Sequence, residues 1–290
     1  MNIFFWVLAA LILFFIVVMI IDVNRFVTVS YSITSPKIKK AQRFVVLADL
    51  HNKQFGEKNG KLLKKIRSLS PDGILLAGDM ITATKGAQMQ DTLQFLAALK
   101  EEYPLFYGEG NHEYRLELYP EVYGDMLAEL QKGLSECGEK VMKNSHVDLE
   151  DSKITIYGLS MDRIYYKRFK KFPMKKEYLT GLLGEADPKR FNILLAHNPD
   201  YFPEYDDWGA DLVLSGHVHG GLMRLPVLGG VVSPAMHLFP KYDGGLFQGK
   251  KGKMILSRGL GTHTLPIRIF NPGELVVVDL LPAGEKSIRH

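Results

Sequence analysis

The sequence predicts two β-sheets facing each other with helices outside, an α/β fold of mixed character preceded by one transmembrane helix. Three observations carry this reading. Residues 3–21 are nineteen consecutive uncharged positions, almost all Leu, Ile, Val, Phe or Ala. After them strand-like and helix-like stretches alternate through the first half of the chain, as βαβ units do. The second half is strand-rich and punctuated by Gly and Pro turns.

The apolar run comes first. A helix needs about 20 apolar residues to cross a hydrocarbon layer of roughly 30 Å. A helix packed in a soluble core keeps a polar face, and this run has none. A cleaved export signal would carry Lys or Arg before the run and a small-residue cleavage site behind it. Here Met1 and Asn2 precede the run, and Asp22-Val23-Asn24-Arg25-Phe26 follows. Residues 1–25 therefore read as an uncleaved anchor. Arg25, Lys37, Lys39, Lys40 and Arg43 all lie on its C-terminal side, so the positive-inside tendency places the body in the cytoplasm.

Residues 26–42 read as an edge strand and linker, because FVTVSYSIT alternates and Pro36 closes it. The folded body is assigned to residues 43–290. Within it a strand at 43–49 precedes a helix at 57–69, whose Leu62, Leu63, Ile66 and Leu69 share a face. A strand at 73–77 precedes a helix at 87–102, and a strand at 104–107 leads into a long amphipathic helix at 117–137. Further strands are expected near 146–149 and 153–158, then at 191–196, 211–215, 253–257 and 274–280.

Composition narrows the function. Hydrophobic residues make up 46% of the 290, enough for a real core. The net charge of +4 is a mild bias toward anionic partners, and no nucleic-acid partner is expected from so diffuse a charge. Cys137 is the single cysteine, which excludes an internal disulfide and a thiolate-bound structural zinc and fits a reducing compartment.

Five short words each follow a strand-like run. They are Asp49-Leu50-His51, Gly78-Asp79, Gly110-Asn111-His112-Glu113, Ala196-His197-Asn198 and Gly216-His217-Val218-His219. A side chain at the end of a strand is delivered to a fixed point on the rim of its sheet, where open α/β sheets bind ligands. Five such strands side by side gather enough imidazole, carboxylate and amide donors for two metal ions. A single word of this kind occurs by chance, but five in order are specific.

Together these words resemble the signature of the calcineurin-like metallophosphoesterases, over residues 43–280 or so. The resemblance implies a four-layer αββα sandwich and two adjoining divalent metal ions. Asp49, His51 and His219 would hold the first ion, Asn111, His197 and His217 the second, and Asp79 would bridge them. Such ions, about 3.5–4 Å apart, activate a bridging hydroxide and clamp the phosphoryl oxygens for in-line displacement. The mixed donor set suits Mn, Fe or Zn better than Mg. His112 resembles the family's non-ligand histidine, which stabilises the transition state or protonates the leaving oxygen. Glu113 stands next to it, placed by sequence to hydrogen-bond that imidazole. The implied activity is hydrolysis of a phosphomonoester, phosphodiester or pyrophosphate bond.

Three further features bear on the substrate. Arg258 and His263 lie in a Gly-rich turn after a strand, where an arginine either meets a phosphate or stays solvated. Residues 163–176 interleave basic side chains with Tyr165, Tyr166, Phe169 and Phe172, as a solvated charge run or as a patch for an anionic bilayer does. The stretch from Gly220-Gly221 to Phe239 is apolar beyond its glycines and reads either as a greasy access path or as core. With the anchor, these features resemble the membrane-associated branch of the family, which includes hydrolases of lipid-linked phosphodiesters and of UDP-diacylglucosamine. A scaffold that keeps the fold without catalysis is the alternative of another class. Every ligand word is intact, which argues against it.

Overall fold

The computed structural model describes residues 3–167, 170–225, 229–232, 238, 240–262 and 266–285. Helix α1 (Ile3–Val23) leads into β1 (Phe26–Ser35), β2 (Gln42–Leu47), α2 (Gly60–Leu69), β3 (Gly73–Ala77), α3 (Gln90–Glu102) and β4 (Leu105–Gly108). Next come α4 (Asn111–Leu118), α5 (Pro120–Tyr123), α6 (Met126–Glu136), β5 (Val141–Met142), β6 (Ser145–Leu149) and β7 (Ile154–Gly158). They are followed by α7 (Lys176–Leu183), β8 (Phe191–Leu195), α8 (Phe202–Trp208) and β9 (Leu212–Ser215). A small hairpin of β10 (Met223–Leu225) and β11 (Gly229–Val232) precedes β12 (Gly245–Gln248), β13 (Lys253–Leu256) and β14 (Gly273–Pro282).

Two six-stranded sheets form, in the orders β1-β14-β2-β3-β4-β5 and β12-β13-β9-β8-β7-β6. Successive side chains of a strand point to opposite faces, and each face here meets a different apolar layer. Phe44, Val46, Leu75, Ile156, Ile193, Leu195, Leu212 and Leu214 pack between the sheets. Val45, Leu47, Ile74 and Leu76 pack outward with Leu62, Ile66, Phe95, Leu96 and Leu130 of α2, α3 and α6. On the far side Leu194, Val213 and Met254 share a layer with Leu179, Leu183, Tyr205 and Trp208 of α7 and α8. The layers are helices, sheet, sheet, helices, which is the sandwich the sequence predicts.

The order of strands positions the site. β2, β3 and β4 run parallel in the first sheet, as do β8, β9 and β13 in the second. Their C-terminal ends therefore emerge together, and each of the five ligand words begins within two residues of such an end.

At its start the chain is woven tightly into this body. β1 is an edge strand as expected, and it pairs parallel with β14 along its whole length, from Phe26 opposite Gly273 to Ser35 opposite Pro282. α1 has 21 residues and would be about 32 Å long. By length and composition it can cross a membrane, and none of its apolar window is buried in the protein. Asp22 is its buried residue.

Some element boundaries differ from expectation. The helix expected at 117–137 is broken into parts of α4, α5 and α6. Pro120 cannot donate into a preceding turn and starts α5, and Gly124 at φ 58° ends it. The run expected at 57–69 opens with a single 3-10 turn, Glu57–Asn59, in which Lys58 and Asn59 take left-handed backbone before α2 begins. α7 and α8, of eight and seven residues, are too short to show a helical period in the sequence.

Leu214 is fully buried between the two sheets. Leu214→Ala is expected to cost roughly 2–5 kcal/mol and to lower the thermal midpoint of the detergent-solubilised protein by on the order of 10 °C. Circular dichroism would show it, and an unchanged midpoint would mean that the sheets do not share this layer.

Candidate metal centre

Each ligand word leaves its strand and turns at once. Asp49, His51, Asp79, His217 and His219 all adopt left-handed backbone, with φ of 50°, 50°, 55°, 76° and 52°. That conformation costs a residue with a side chain on the order of 1–3 kcal/mol unless its surroundings impose it. Here the loops impose it on one another. The Asp49 N–H donates to the Gly78 carbonyl (3.0 Å), the His51 N–H to the Asp79 carbonyl (3.1 Å) and the Gly216 N–H to the His197 carbonyl (3.1 Å). The contact is close enough to require glycine: a Cβ on Gly110 would stand 2.2 Å from both the nitrogen and Oδ1 of Asp79.

These loops bring the ligand side chains together. Asp79 Oδ2 lies 3.1 Å from His197 Nε2 and 3.7 Å from His51 Nε2. Asp49 Oδ1 lies 3.5 Å from His219 Nε2 and 3.7 Å from His197 Nε2. The rings of His51 and His219 are nearly parallel, at 17°, with their Nε2 atoms 3.3 Å apart. Donor atoms of Asp49, His51 and His219 form one cluster, and those of Asp79, His197 and His217 form another, each within 4.8 Å. Asn111 lines the same cleft, and its buried Oδ1 has no hydrogen-bond partner among the described residues. Ligand atoms about 2.0–2.2 Å from a common ion stand roughly 3–4 Å from one another, as do the Asp49–His219, Asp79–His197 and His51–His219 atoms.

For His197 and His112 a hydrogen bond fixes which ring nitrogen faces the cluster. His197 Nδ1 meets the Ala77 carbonyl at 2.7 Å, so it carries the proton and Nε2 turns its lone pair toward the two carboxylates. Lone pair and carboxylate repel unless a cation stands between them, and this is the test that a metal site passes. In the absence of an ion a proton fills the role. Burial alone would lower the His197 imidazolium, but Asp79 and Asp49 outweigh it and lift it to about 10. Burial pushes Asp49 up to about 7, with His197 opposing and Asp79 adding. Burial likewise disfavours charge on Asp79, yet His197, His112 and His51 hold it well below the usual carboxylate range.

His112 is tuned the opposite way. It belongs to a third cluster with His51 and Asp79, but its Nδ1 accepts the Ala83 N–H at 2.8 Å. The ring proton therefore sits on Nε2, which lies 4.0 Å from Asp79 Oδ2. A protonated nitrogen cannot ligate a metal, but it can donate to a substrate.

Glu113, expected beside that imidazole, is used elsewhere. It stands at the third position of α4 and folds back over the start of the helix. Its carboxylate accepts from the N–H groups of Gly110, Asp79 and Met80, each at 2.9 Å, and from the Tyr107 hydroxyl at 2.8 Å. None of its hydrogen bonds among the described residues goes to His112. The residue ties the Asp79 loop to the start of α4, where the His112 N–H donates to Asp79 Oδ1 at 2.8 Å. Asp79 Oδ2 is thereby left to face the histidines.

Of the two substrate candidates, one lies among the described residues. Arg258 pairs with the buried carboxylate of Glu274 at 3.1 Å and does not line the cleft, because β14 brings a carboxylate to it. His263 lies outside the described residues, as do Arg168, Phe169 and Phe239.

A cleft of about 1010 Å³ opens over Asp79, Asn111, His112, His217 and His219. Leu118, Tyr119, Val122, Tyr123 and Tyr166 line it, along with the cations Arg115, Arg163, Lys167, Lys170, Lys171 and Lys241. Part of the basic, aromatic run at 163–176 thus forms a wall of the site, a placement its composition alone did not reveal. Arg163 lies over the Tyr119 ring at 5.1 Å and Lys171 over the Tyr201 ring at 4.7 Å. Sequence reasoning also missed Arg268, which is fully buried and donates to the carbonyls of Arg258, Gly259, Gly261 and Asn271. A lone arginine in the apolar stretch Pro266-Ile267-Arg268-Ile269-Phe270 is the signal that could have found it.

Two facing sheets with a carboxylate–imidazole cluster on their shared rim define the metallophosphoesterase class. The chain belongs to the calcineurin-like phosphoesterases, whose family model matches residues 42–221. An uncharacterized metallophosphoesterase of Campylobacter jejuni is 30% identical over 261 residues, covering 87% of this chain and 62% of that protein. The chain thus spans less than two thirds of that relative's length. The UDP-2,3-diacylglucosamine pyrophosphatase LpxG of Chlamydia muridarum is 25% identical over 282 residues, covering 82% of this chain and 83% of that protein. Among solved structures, TT1561 of Thermus thermophilus aligns at 10% identity with a TM-score of 0.45, over 75% of this chain and 89% of that one.

A metal entering this cluster must displace the proton that His197 keeps up to about pH 10, and below about 7 that of Asp49 as well. Affinity for Mn²⁺ is therefore expected to rise with pH, about tenfold per unit for each displaced proton, and more steeply at the acid end. Calorimetric titration at several pH values measures the slope. A flat profile would show that His197 is already neutral before the metal arrives.

Proposed function

We propose that this chain is a membrane-anchored, dinuclear metal-dependent hydrolase acting on a lipid-linked phosphodiester or pyrophosphate. The observation that carries the chemistry is the pair of converging donor clusters on one rim. Asp49, His51 and His219 would hold one ion and Asn111, His197 and His217 the other, with Asp79 between them; Mn, Fe or Zn suits these donors. Two bound divalent ions supply Lewis-acid stabilisation of the phosphoryl oxygens and a nucleophile drawn from water at neutral pH.

The protein's own groups do the rest. The Nε2–H of His112 lines the cleft, where it would donate a hydrogen bond to a phosphoryl oxygen or to the leaving oxygen as charge builds on it. Glu113 and the Gly110 turn keep Asp79 aimed at the histidines. Arg115, Arg163 and Lys167 provide positive charge for an anionic substrate, and Leu118, Tyr119, Val122 and Tyr123 provide apolar surface beside it.

The size and mixed lining of the cleft favour an amphiphile. A single phosphate would occupy a small part of about 1010 Å³, whereas a large ligand that is apolar at one end and anionic at the other would use both walls. The uncovered apolar helix α1 supports attachment to a bilayer, and the basic residues on its C-terminal side support a cytoplasmic body. The likeness to LpxG, named for a diacylated sugar nucleotide, supports the same reading.

The full chain in detergent, stripped by a chelator and reloaded with Mn²⁺, is expected to cleave bis-p-nitrophenyl phosphate, with the activity lost in Asp79→Ala. His112→Ala is expected to bind metal normally but to lose about 10²–10⁴-fold in kcat; retained turnover would remove its assigned role. Against UDP-2,3-diacylglucosamine and lipid phosphodiesters in mixed micelles, kcat/KM should exceed that for soluble nucleotides. The reverse order would overturn the lipid substrate and leave the metal chemistry standing.

A further inference from the structure

A hydrophobic tether needs only a greasy span and a linker, and this chain has more than that. Asp22, in the last turn of the apolar helix α1, is almost completely buried. One carboxylate oxygen, Oδ1, pairs with Arg25 at 2.7 Å. The other, Oδ2, accepts the main-chain N–H of Asn271 at 2.9 Å. The side-chain amide of Asn271, itself fully buried, donates to the carbonyls of His219 (2.8 Å) and Gly221 (2.7 Å). These two carbonyls flank Gly220, at φ 70°, at the point where the chain leaves the metal-ligand word. No slack follows the helix: the Gly273 N–H donates to the Arg25 carbonyl at 3.1 Å, and β1 begins at Phe26.

The His219 ring depends on this backbone. Its Nδ1 faces the Gly261 carbonyl at 3.4 Å, and the buried Arg268 holds that carbonyl from the other side at 2.6 Å. Arg268 also donates to the Asn271 carbonyl at 3.2 Å. Asn271 is thus the point where the helix end, the buried arginine and the ligand loop meet. The partners that orient a ligating side chain govern metal affinity and turnover, typically by 10–100-fold on removal.

We propose that Asp22 is a positioning residue for His219, so that the end of the anchor helix is part of the metal-site scaffold. The proposal rests on His219 being a metal ligand. Removing the carboxylate leaves the buried Asn271 N–H without an acceptor and frees the Asn271 side chain to shift off the His219 and Gly221 carbonyls.

The test uses the full chain in detergent and three readouts: Co²⁺ affinity followed by visible absorption, the kcat and KM for bis-p-nitrophenyl phosphate, and the thermal midpoint. Asp22→Ala is expected to weaken Co²⁺ binding and to lower kcat by about tenfold or more, with KM changing less than kcat. Asp22→Asn, which keeps an oxygen acceptor for Asn271, is expected to restore both. Asn271→Ala should match Asp22→Ala, and the double variant should be no worse than either single one, as for two members of one chain of contacts. Should Asp22→Ala fail to fold, Asp22→Leu, of similar size and with no acceptor, carries the same expectation. A lowered thermal midpoint with unchanged Co²⁺ affinity and kcat would overturn the proposal, as would additive losses in the double variant. If the unaltered chain binds no Co²⁺, the metal centre itself fails and this proposal with it.

Discussion

Buried carboxylates facing the lone pair of a neutral imidazole repel it until a cation comes between, and much of this structure is arranged to keep them facing. Asp49, Asp79 and His197 are withdrawn from water, and both carboxylates are pressed to within 4 Å of the His197 Nε2. The left-handed backbone of the ligand words, the glycines that let the loops touch and the capping glutamate of α4 all serve that juxtaposition. Each is unfavourable or wasteful if judged by itself. A residue such as Glu113, which draws several main-chain donors to a single carboxylate, is understood only through the strained loop that it holds.

The ligand words were legible because strands end abruptly and their last side chains fall on a rim, so sequence order translates directly into place. The sandwich was legible for a related reason, since the alternating and fully apolar strands state which faces need covering. Contacts with partners far along the chain were not legible. Glu274 of the first sheet claims Arg258 at the end of a strand of the second, and Asp22 meets Asn271 across 249 positions. Local pattern misled in the stretch after His112 as well. Its apolar spacing continues through Pro120 and Gly124, which divide one expected helix into several. The basic run at 163–176 showed its composition but not its direction, because its charges have no periodicity to reveal which side faces the cleft.

The cleft and the anchor helix bear on one another through the proposed function. Cationic and apolar side chains share the walls above the donor clusters, so a ligand with a charged head and a greasy body satisfies both. A helix exposed over most of its length, but touched at Phe14 and Phe15 by Phe270 and fixed at its end through Asp22, would restrict how the mouth of that cleft lies relative to a bilayer. The fixed end matters more than the span, because a span alone would leave the body free to turn.

The pairing of β1 with β14 has a consequence for biogenesis. In the first sheet β14 lies between β1 and β2 and hydrogen-bonds to both, so neither of the two earliest strands can find its shared neighbour until the last strand has been made. Co-translational folding must therefore halt with the sheet open on that side, and pairings so distant along the chain close slowly. If the anchor helix is already in the bilayer, the waiting chain stands at the membrane surface with an unpaired edge exposed. All five of the histidine- and aspartate-bearing words are thus made before the sheet that seats them can close.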